Sequence, residues 1–356
     1  MVPERPQLHL GAALDGAGAH PAAWRVSDAE PRALFTAAHY LANARLAESA
    51  ALDFVTLDDS LAPQPGGENV VRGRLDALLT LSAIAPLTHR IGLLPTVTTT
   101  HTEPFHVSTA VATLDYASGG RAGLLAVPSV TEAENGHFGR RALPTAEEAF
   151  RETSDFTDVV ARLWDSWQDD AIIRDVEGGR FIDRDRLHYV DFEGEFFRVK
   201  GPSITPRPPQ GRPVIATHGE SPHADVVLAG AGDLAVIGRV RGARVLAELS
   251  FLLANTEKAA LERKERLDEL HGEAFALEFV GTPAGLAERL VEGAGTAGLD
   301  GFLLRPAVLP DDLRLVAEQV VPALRAAGAF RHEYTGTTLR DHLGFERPAN
   351  RYPAGV

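Results

Sequence analysis

Four short polar runs, each directly after an apolar stretch, hold the side chains that could do chemistry. Asp58-Asp59-Ser60 follows residues 52–57, and Thr98-Thr99-Thr100-His101-Thr102-Glu103 follows residues 91–97. Pro128-Ser129 follows residues 122–127, and His218-Gly219-Glu220-Ser221 follows residues 213–217. Hydroxyls, carboxylates and imidazoles there suit a polar ligand, because parallel α/β folds gather their ligand sites at the carboxyl ends of strands. Asp59, Thr98, Thr99, Ser129, Gly219 and Ser221 are the candidate binding residues, with His101 and His218 as candidate catalytic ones. Each also has a plainer reading. Asp59 suits a cap, and threonines finish strands well. Ser221 before Pro222 reads as the N-cap of a following helix, whose amino terminus would itself attract an anion. His101 and His218 also read as solvated loop histidines.

The elements that must position these groups follow from residues 91–129. A β-branched apolar run leads into the polar cluster, then into a helix over 105–117 with Val107, Ala110, Val111 and Leu114 on one face. Ser118-Gly119-Gly120 stops that helix before the next apolar run. Strands that are apolar throughout are covered on both faces, as in a parallel sheet with helices outside. The same alternation places strands at 8–14, 52–57, 91–97, 122–127, 213–217, 234–237, 245–253 and 300–304. Helices fall at 34–51, 74–85, 105–117, 147–167, 256–270, 282–297 and 311–327, with a short one after Ser221. Eight strands alternating with helices predict a (β/α)8 TIM barrel, one domain over residues 1–356.

Residues 168–210 are charged, carry Gly178-Gly179 and four prolines between 202 and 209, and suggest a hairpin through 192–199. They read as an insertion lying over one end of the barrel, and residues 330–356 as a C-terminal tail. Only residues 238–244 separate the sixth and seventh strands. Parallel neighbours need a crossover of about a dozen residues, so the barrel is irregular there or one strand is misplaced.

Composition narrows the function. The chain has 356 residues, 44% hydrophobic and 24% charged, an ordinary balance for a globular protein. A net charge of −14 argues against nucleic acid or an anionic membrane as partner. No cysteine is present, which excludes disulfides, thiolate metal sites and cysteine nucleophiles. The 13 histidines show no HxxxH-type spacing, so no metal site is expected. No apolar run approaches the roughly 20 residues of a membrane span, and no secretory signal is visible. A cytoplasmic enzyme is the expectation. Gly16-Ala17-Gly18 lacks the third glycine of a dinucleotide fingerprint.

Several phrases carry a family resemblance in order along the chain. They include HPAAWR at 20–25, LDFVTLDDS at 52–60, TVTTTHTEPFH at 96–106 and LDYASGGRAG at 114–123. LWDSWQDDA at 163–171, GEFFRVKGP at 194–202, PPQGRPVI at 208–215 and GTTLRDHLGFERPANRY at 336–352 complete the set. The chain resembles the bacterial luciferase-like flavin monooxygenases, in the branch that includes nitrilotriacetate and dibenzothiophene-sulfone monooxygenases. The resemblance implies a barrel that holds reduced FMN at its carboxyl-terminal mouth, a separate flavin reductase, dioxygen, a small organic substrate, and a homo-oligomer. It places Asp59 by the flavin ring, Thr98 and Thr99 at the polar end of the next strand, and Gly219 and Ser221 at the phosphate. His101 and His218 would polarise the oxidant or a substrate oxygen. Ala146 and Phe150 stand where the family carries a phosphate-binding His and Tyr, Leu125 replaces a flavin-contacting Asn, and Glu220 brings a carboxylate near the phosphate turn. Arg140 and Arg141 could reach in from the preceding loop. These departures keep two alternatives open, a deazaflavin-dependent oxidoreductase and a cofactor-free barrel acting as a binding or partner subunit.

Overall fold

Eight parallel strands close on themselves: β1 (His9–Ala13), β2 (Phe54–Leu57), β3 (Gly92–Thr98), β4 (Gly123–Val127), β5 (Val214–His218), β6 (Val226–Ala229), β7 (Arg244–Leu253) and β8 (Gly301–Pro306). Each pairs with its neighbours in this order, β6 bridges β5 and β7, and β8 returns to β1. This computed structural model describes residues 7–26, 31–219, 221–230, 242–297 and 299–352. The helices outside are α1 (Ala37–Ser49), α2 (Ala77–Ile84), α3 (Pro104–Ser118), α4 (Glu132–Phe138), α5 (Ala146–Asp165), α6 (Glu257–His271), α7 (Pro283–Ala297) and α8 (Asp311–Leu315). A π turn, Val316–Val320, carries α8 into a last segment, Val321–Ala326. Among the described residues, no helix is long and apolar enough to cross a membrane.

Local sequence explains the helix ends. Thr145 and Glu148 form a reciprocal capping box at the start of α5, satisfying amides that have no partner inside the helix. Gly119, at φ 68°, takes the left-handed turn that ends α3. The strands bury both faces. Val55, Leu93, Leu124 and Ile215 face the helices. Phe54, Leu94, Leu125, Val214, Leu246 and Leu303 fill the barrel interior, where Leu339 and Leu343 of the tail join them. Gly92 makes room for that plug: a Cβ there would stand 2.5 Å from Leu339 Cδ1.

The reading after β5 changes. No helix follows Ser221; residues 226–229 form β6 instead, which leaves residues 230–243 for the crossover that the sequence reading found too short. Residues 234–237, read as a strand, lie outside the described residues. The insertion packs on α5. Its hairpins pair Ile172–Asp175 with Arg180–Ile182 and Phe192–Glu193 with Arg198–Val199. Val190 and Val199 pack on Val159 and Leu163, so the insertion runs along the flank of α5. Arg207 pins its return to Asp165 at 3.0 Å. Two elements carry no readable periodicity, α4 and the short strand Phe279–Gly281 beside the end of β7.

Candidate active site

The parallel barrel brings all four polar runs to one mouth. Alternation along the strands decides which side chains face inward. From the interior residues Phe54, Leu94, Ala216, Leu246 and Leu303 it carries Thr56, Asp58, Thr96, Thr98, His218, Glu248 and Arg305 up the inner wall. Asp15 joins them two residues beyond Ala13. Arg305 donates to Asp15 Oδ2 at 3.2 Å and to Glu248 Oε1 at 3.1 Å. The Asp58 amide donates to Asp15 Oδ1 at 2.8 Å. The Asp58 carboxylate faces Arg74 at 3.7 Å, with the Asp59 amide and the Arg305 guanidinium also acting on it, and its side chain is 58% exposed. Although its oxygens open on to the mouth, the surrounding protein and then the neighbouring Asp15 push it up to about 6.

On the opposite side, hydroxyls knit the loops after β2, β3 and β4. Thr98 Oγ1 lies 3.2 Å from Thr102 Oγ1, and Thr99 Oγ1 lies 2.8 Å from Thr153 Oγ1 on α5. The Ser129 amide donates to Thr100 Oγ1 at 2.9 Å, and Ser60 Oγ donates to Glu134 Oε1 of α4 at 2.7 Å. Several atoms are left over. Thr56 Oγ1, Thr96 Oγ1, Ser129 Oγ, Ser221 Oγ and His101 Nε2 are buried without a hydrogen-bond partner. The His101 ring stacks on Phe138 at 4.4 Å and 11°. Burial, then Arg141, lowers its pKa, which favours the neutral imidazole.

Other candidates are already committed. Asp59 accepts from the Ser60 and Ala77 amides, both at 2.8 Å, so one oxygen holds the turn after β2 and the other the start of α2. Ser221 opens a turn in which Ala224 N donates to its carbonyl at 3.2 Å, and no helix dipole points from it. Gly219, at φ +77°, makes the left-handed step of that loop. His218 is exposed at the end of β5. Phe150 is 51% exposed and Ala146 lies on the surface, so neither supplies a donor to the mouth. Arg141 is bound to Glu152 at 2.7 Å. Glu220 lies outside the described residues.

A cavity of about 660 Å³ opens beside β1 and β2, walled by the loops after these strands and by residues 271–275. Trp24, Phe35, Tyr40, Val70 and Phe275 give it apolar walls. Asp58, His20 and Trp24 line it, and none of the eight candidate binding and catalytic residues does. The missed signal is the alternation Phe54, Thr56, Asp58, which selects Asp58 over Asp59 for the inward face. The HPAAWR phrase builds the wall. His20 Nδ1 accepts from the Ala22 amide at 3.1 Å, and its Nε2 meets Asp268 at 3.1 Å. Burial lowers its pKa despite Asp268, consistent with a neutral ring. Trp24 Nε1 donates to the Asn69 carbonyl at 3.0 Å, and Arg25 to the Leu270 carbonyl at 2.7 Å.

The comparisons with known proteins agree with this architecture. The family model for luciferase-like monooxygenases matches residues 17–241. N-acetyl-S-(2-succino)cysteine monooxygenase of Bacillus subtilis (strain 168) is 30% identical, over 99% of this chain and 100% of its own. Nitrilotriacetate monooxygenase component A of Aminobacter aminovorans is 30% identical, over 97% and 98%. The crystal structure of riboflavin lyase with modified FMN and riboflavin superposes with a TM-score of 0.85 at 25% identity, covering 97% of each chain. A closed parallel barrel, a polar mouth and a match over most of the sequence lead to one conclusion: this oxidoreductase belongs to the luciferase-like monooxygenase family.

Proposed function

We propose that the chain is the oxygenating component of a two-component system, in which a separate reductase supplies reduced FMN and a small organic molecule is oxidised with dioxygen. Bound at the mouth, reduced flavin supplies the electrons and activates dioxygen. The observation that carries this reading is the set of partnerless buried groups there, Thr56 Oγ1, Thr96 Oγ1, Ser129 Oγ and His101 Nε2. A buried polar atom without a partner costs about 1–3 kcal/mol, and a ligand with polar ring edges relieves that cost. Thr98 and Ser129 hold the ring edge, Thr99 fixes α5 against β3, and Asp59 sets the corner beside them. Neutral His101 offers one hydrogen bond to the oxidant or the substrate. Gly219 and Ser221 receive the phosphate, with little grip beyond the turn itself. The same reading includes a homo-oligomer, for which the exposed Val176, Phe181 and Ile204 of the insertion offer apolar surface.

The test combines a fluorescence-quenching titration with FMN and an oxygen-uptake assay with and without a flavin reductase. Saturable binding and reductase-dependent uptake are the expected result. If neither FMN nor riboflavin binds at millimolar concentration, a deazaflavin enzyme or a cofactor-free barrel takes its place.

A further inference from the structure

The cavity beside β1 and β2 is unbalanced in charge. Three carboxylates line it, those of Asp15, Asp58 and Glu273, against a single guanidinium, that of Arg74. Behind Asp15, Arg305 is shared with Glu248, so that pair adds no net positive charge. His20 on the wall does not redress the balance. His20 is buried and consistent with a neutral ring between the Ala22 amide and Asp268, while His271 leaves Nδ1 without a partner. Arg74 is partly spent, since it faces Asp58 at 3.7 Å and donates to the Ala62 carbonyl at 3.3 Å. The rest of the wall is largely apolar and aromatic, and its two amides, Gln64 and Asn69, are bonded to backbone groups of Gly73 and His271. The volume, about 660 Å³, falls within the range of small-molecule sites.

We infer that this cavity takes a substrate with an apolar body and a cationic amine, the ammonium resting on Asp58 and the body among Trp24, Phe35, Tyr40 and Phe275. This rests on the monooxygenase reading and names the substrate class for it. An ammonium meets an open carboxylate and aromatic faces that favour cations. A carboxylate substrate would meet the like charges of Asp15, Asp58 and Glu273, and repulsion of that kind sets specificity as attraction does.

The test uses three probes of one shape, 2-phenylethylamine, 2-phenylethanol and 3-phenylpropanoate, titrated calorimetrically into the full chain. The titrations run at about pH 8, where Asp58 is ionised. The amine is expected to bind at least about tenfold more tightly than the carboxylate, with the alcohol between. Asp58→Asn should bring the amine to within about threefold of the alcohol, with the thermal midpoint followed as a control for folding. Should that variant fold poorly, the ranking of the three probes on the unaltered chain decides alone. Equal or tighter binding of the carboxylate overturns the inference and hands recognition to the unpartnered Nε of Arg74. Failure of all three probes at millimolar concentration overturns it as well. FMN titration of the same samples separates the two readings. FMN binding without the ranking removes only this inference, and the ranking without FMN binding removes only the flavin.

Discussion

The floor and the mouth of this barrel treat polar groups in opposite ways. At the floor, Asp53 is fully buried, yet it accepts from Arg331 at 2.9 Å and from the Leu10 amide at 2.7 Å, and meets His9 at 3.0 Å. Burial alone would raise its pKa, but Arg331 and His9 outweigh that and hold it below the usual range. Nearby, Asp115 accepts from Gln210 and the Ala122 amide, and Arg121 makes five hydrogen bonds to Ser118, Thr88, Ile91 and Ala85. At the mouth, hydroxyls and an imidazole are buried with nothing to bond. The floor is closed upon itself and serves the fold, whereas the mouth is incomplete without something from outside. The clearest exception among the described residues of the floor is His342: it is 2% exposed with both ring nitrogens unpartnered.

Breaking the floor should have the largest effect. Asp53→Ala strands the Arg331 guanidinium and should destabilise the fold by about 3–5 kcal/mol in urea denaturation. Asp58→Asn at the mouth should change it by less than about 1 kcal/mol. Similar losses at both ends would end the distinction. The exception comes next. Burial, then Arg331, lowers His342 from 6.5 to about 4. The unfolded chain therefore takes up this proton first as the pH falls. Its contribution is intact above about pH 6.5 and shrinks towards pH 4, by roughly 3 kcal/mol at most. His342→Gln should flatten that part of a stability–pH curve.

Two smaller effects sharpen the account of the mouth. Neither Ala146 nor Phe150 supplies a donor, and Arg141 is bound to Glu152, so the phosphate should add less than about 1.4 kcal/mol. FMN and riboflavin should then bind within about tenfold in parallel calorimetric titrations, and a hundredfold preference for FMN would show that the grip has been rebuilt elsewhere. Smallest of all, Ser129→Ala removes a hydroxyl that bonds nothing in the protein. It should leave the melting temperature unchanged yet weaken FMN by about 1 kcal/mol, roughly fivefold.

The barrel is legible because its signals are local. Apolar runs, glycine stops and helical faces each show within a dozen residues, and only the crossover after β6 misled the count. There the run Val226–Ala229 is four residues long and reads as either a short strand or part of a helix. The mouth was half legible. Sequence alone located the strand ends, but choosing Asp58 over Asp59 required knowing the inward face of β2. The cavity was legible only in the HPAAWR phrase that carries His20 and Trp24, since its walls combine three separate stretches, around residues 15–24, 58–75 and 271–275, which only the closed barrel brings together.

The plug formed by Leu339 and Leu343 has a consequence for biosynthesis. These residues complete the inner layer that Phe54, Leu94 and Leu125 begin, and β1 finds its second neighbour only in β8. A ribosome that has released the first seven strands therefore presents an open staircase of apolar rungs with no lid beneath it. Folding must wait for nearly the whole chain to emerge, so the nascent protein is a natural client for chaperones, and a tag or truncation at the tail will be felt in yield before it is felt in catalysis.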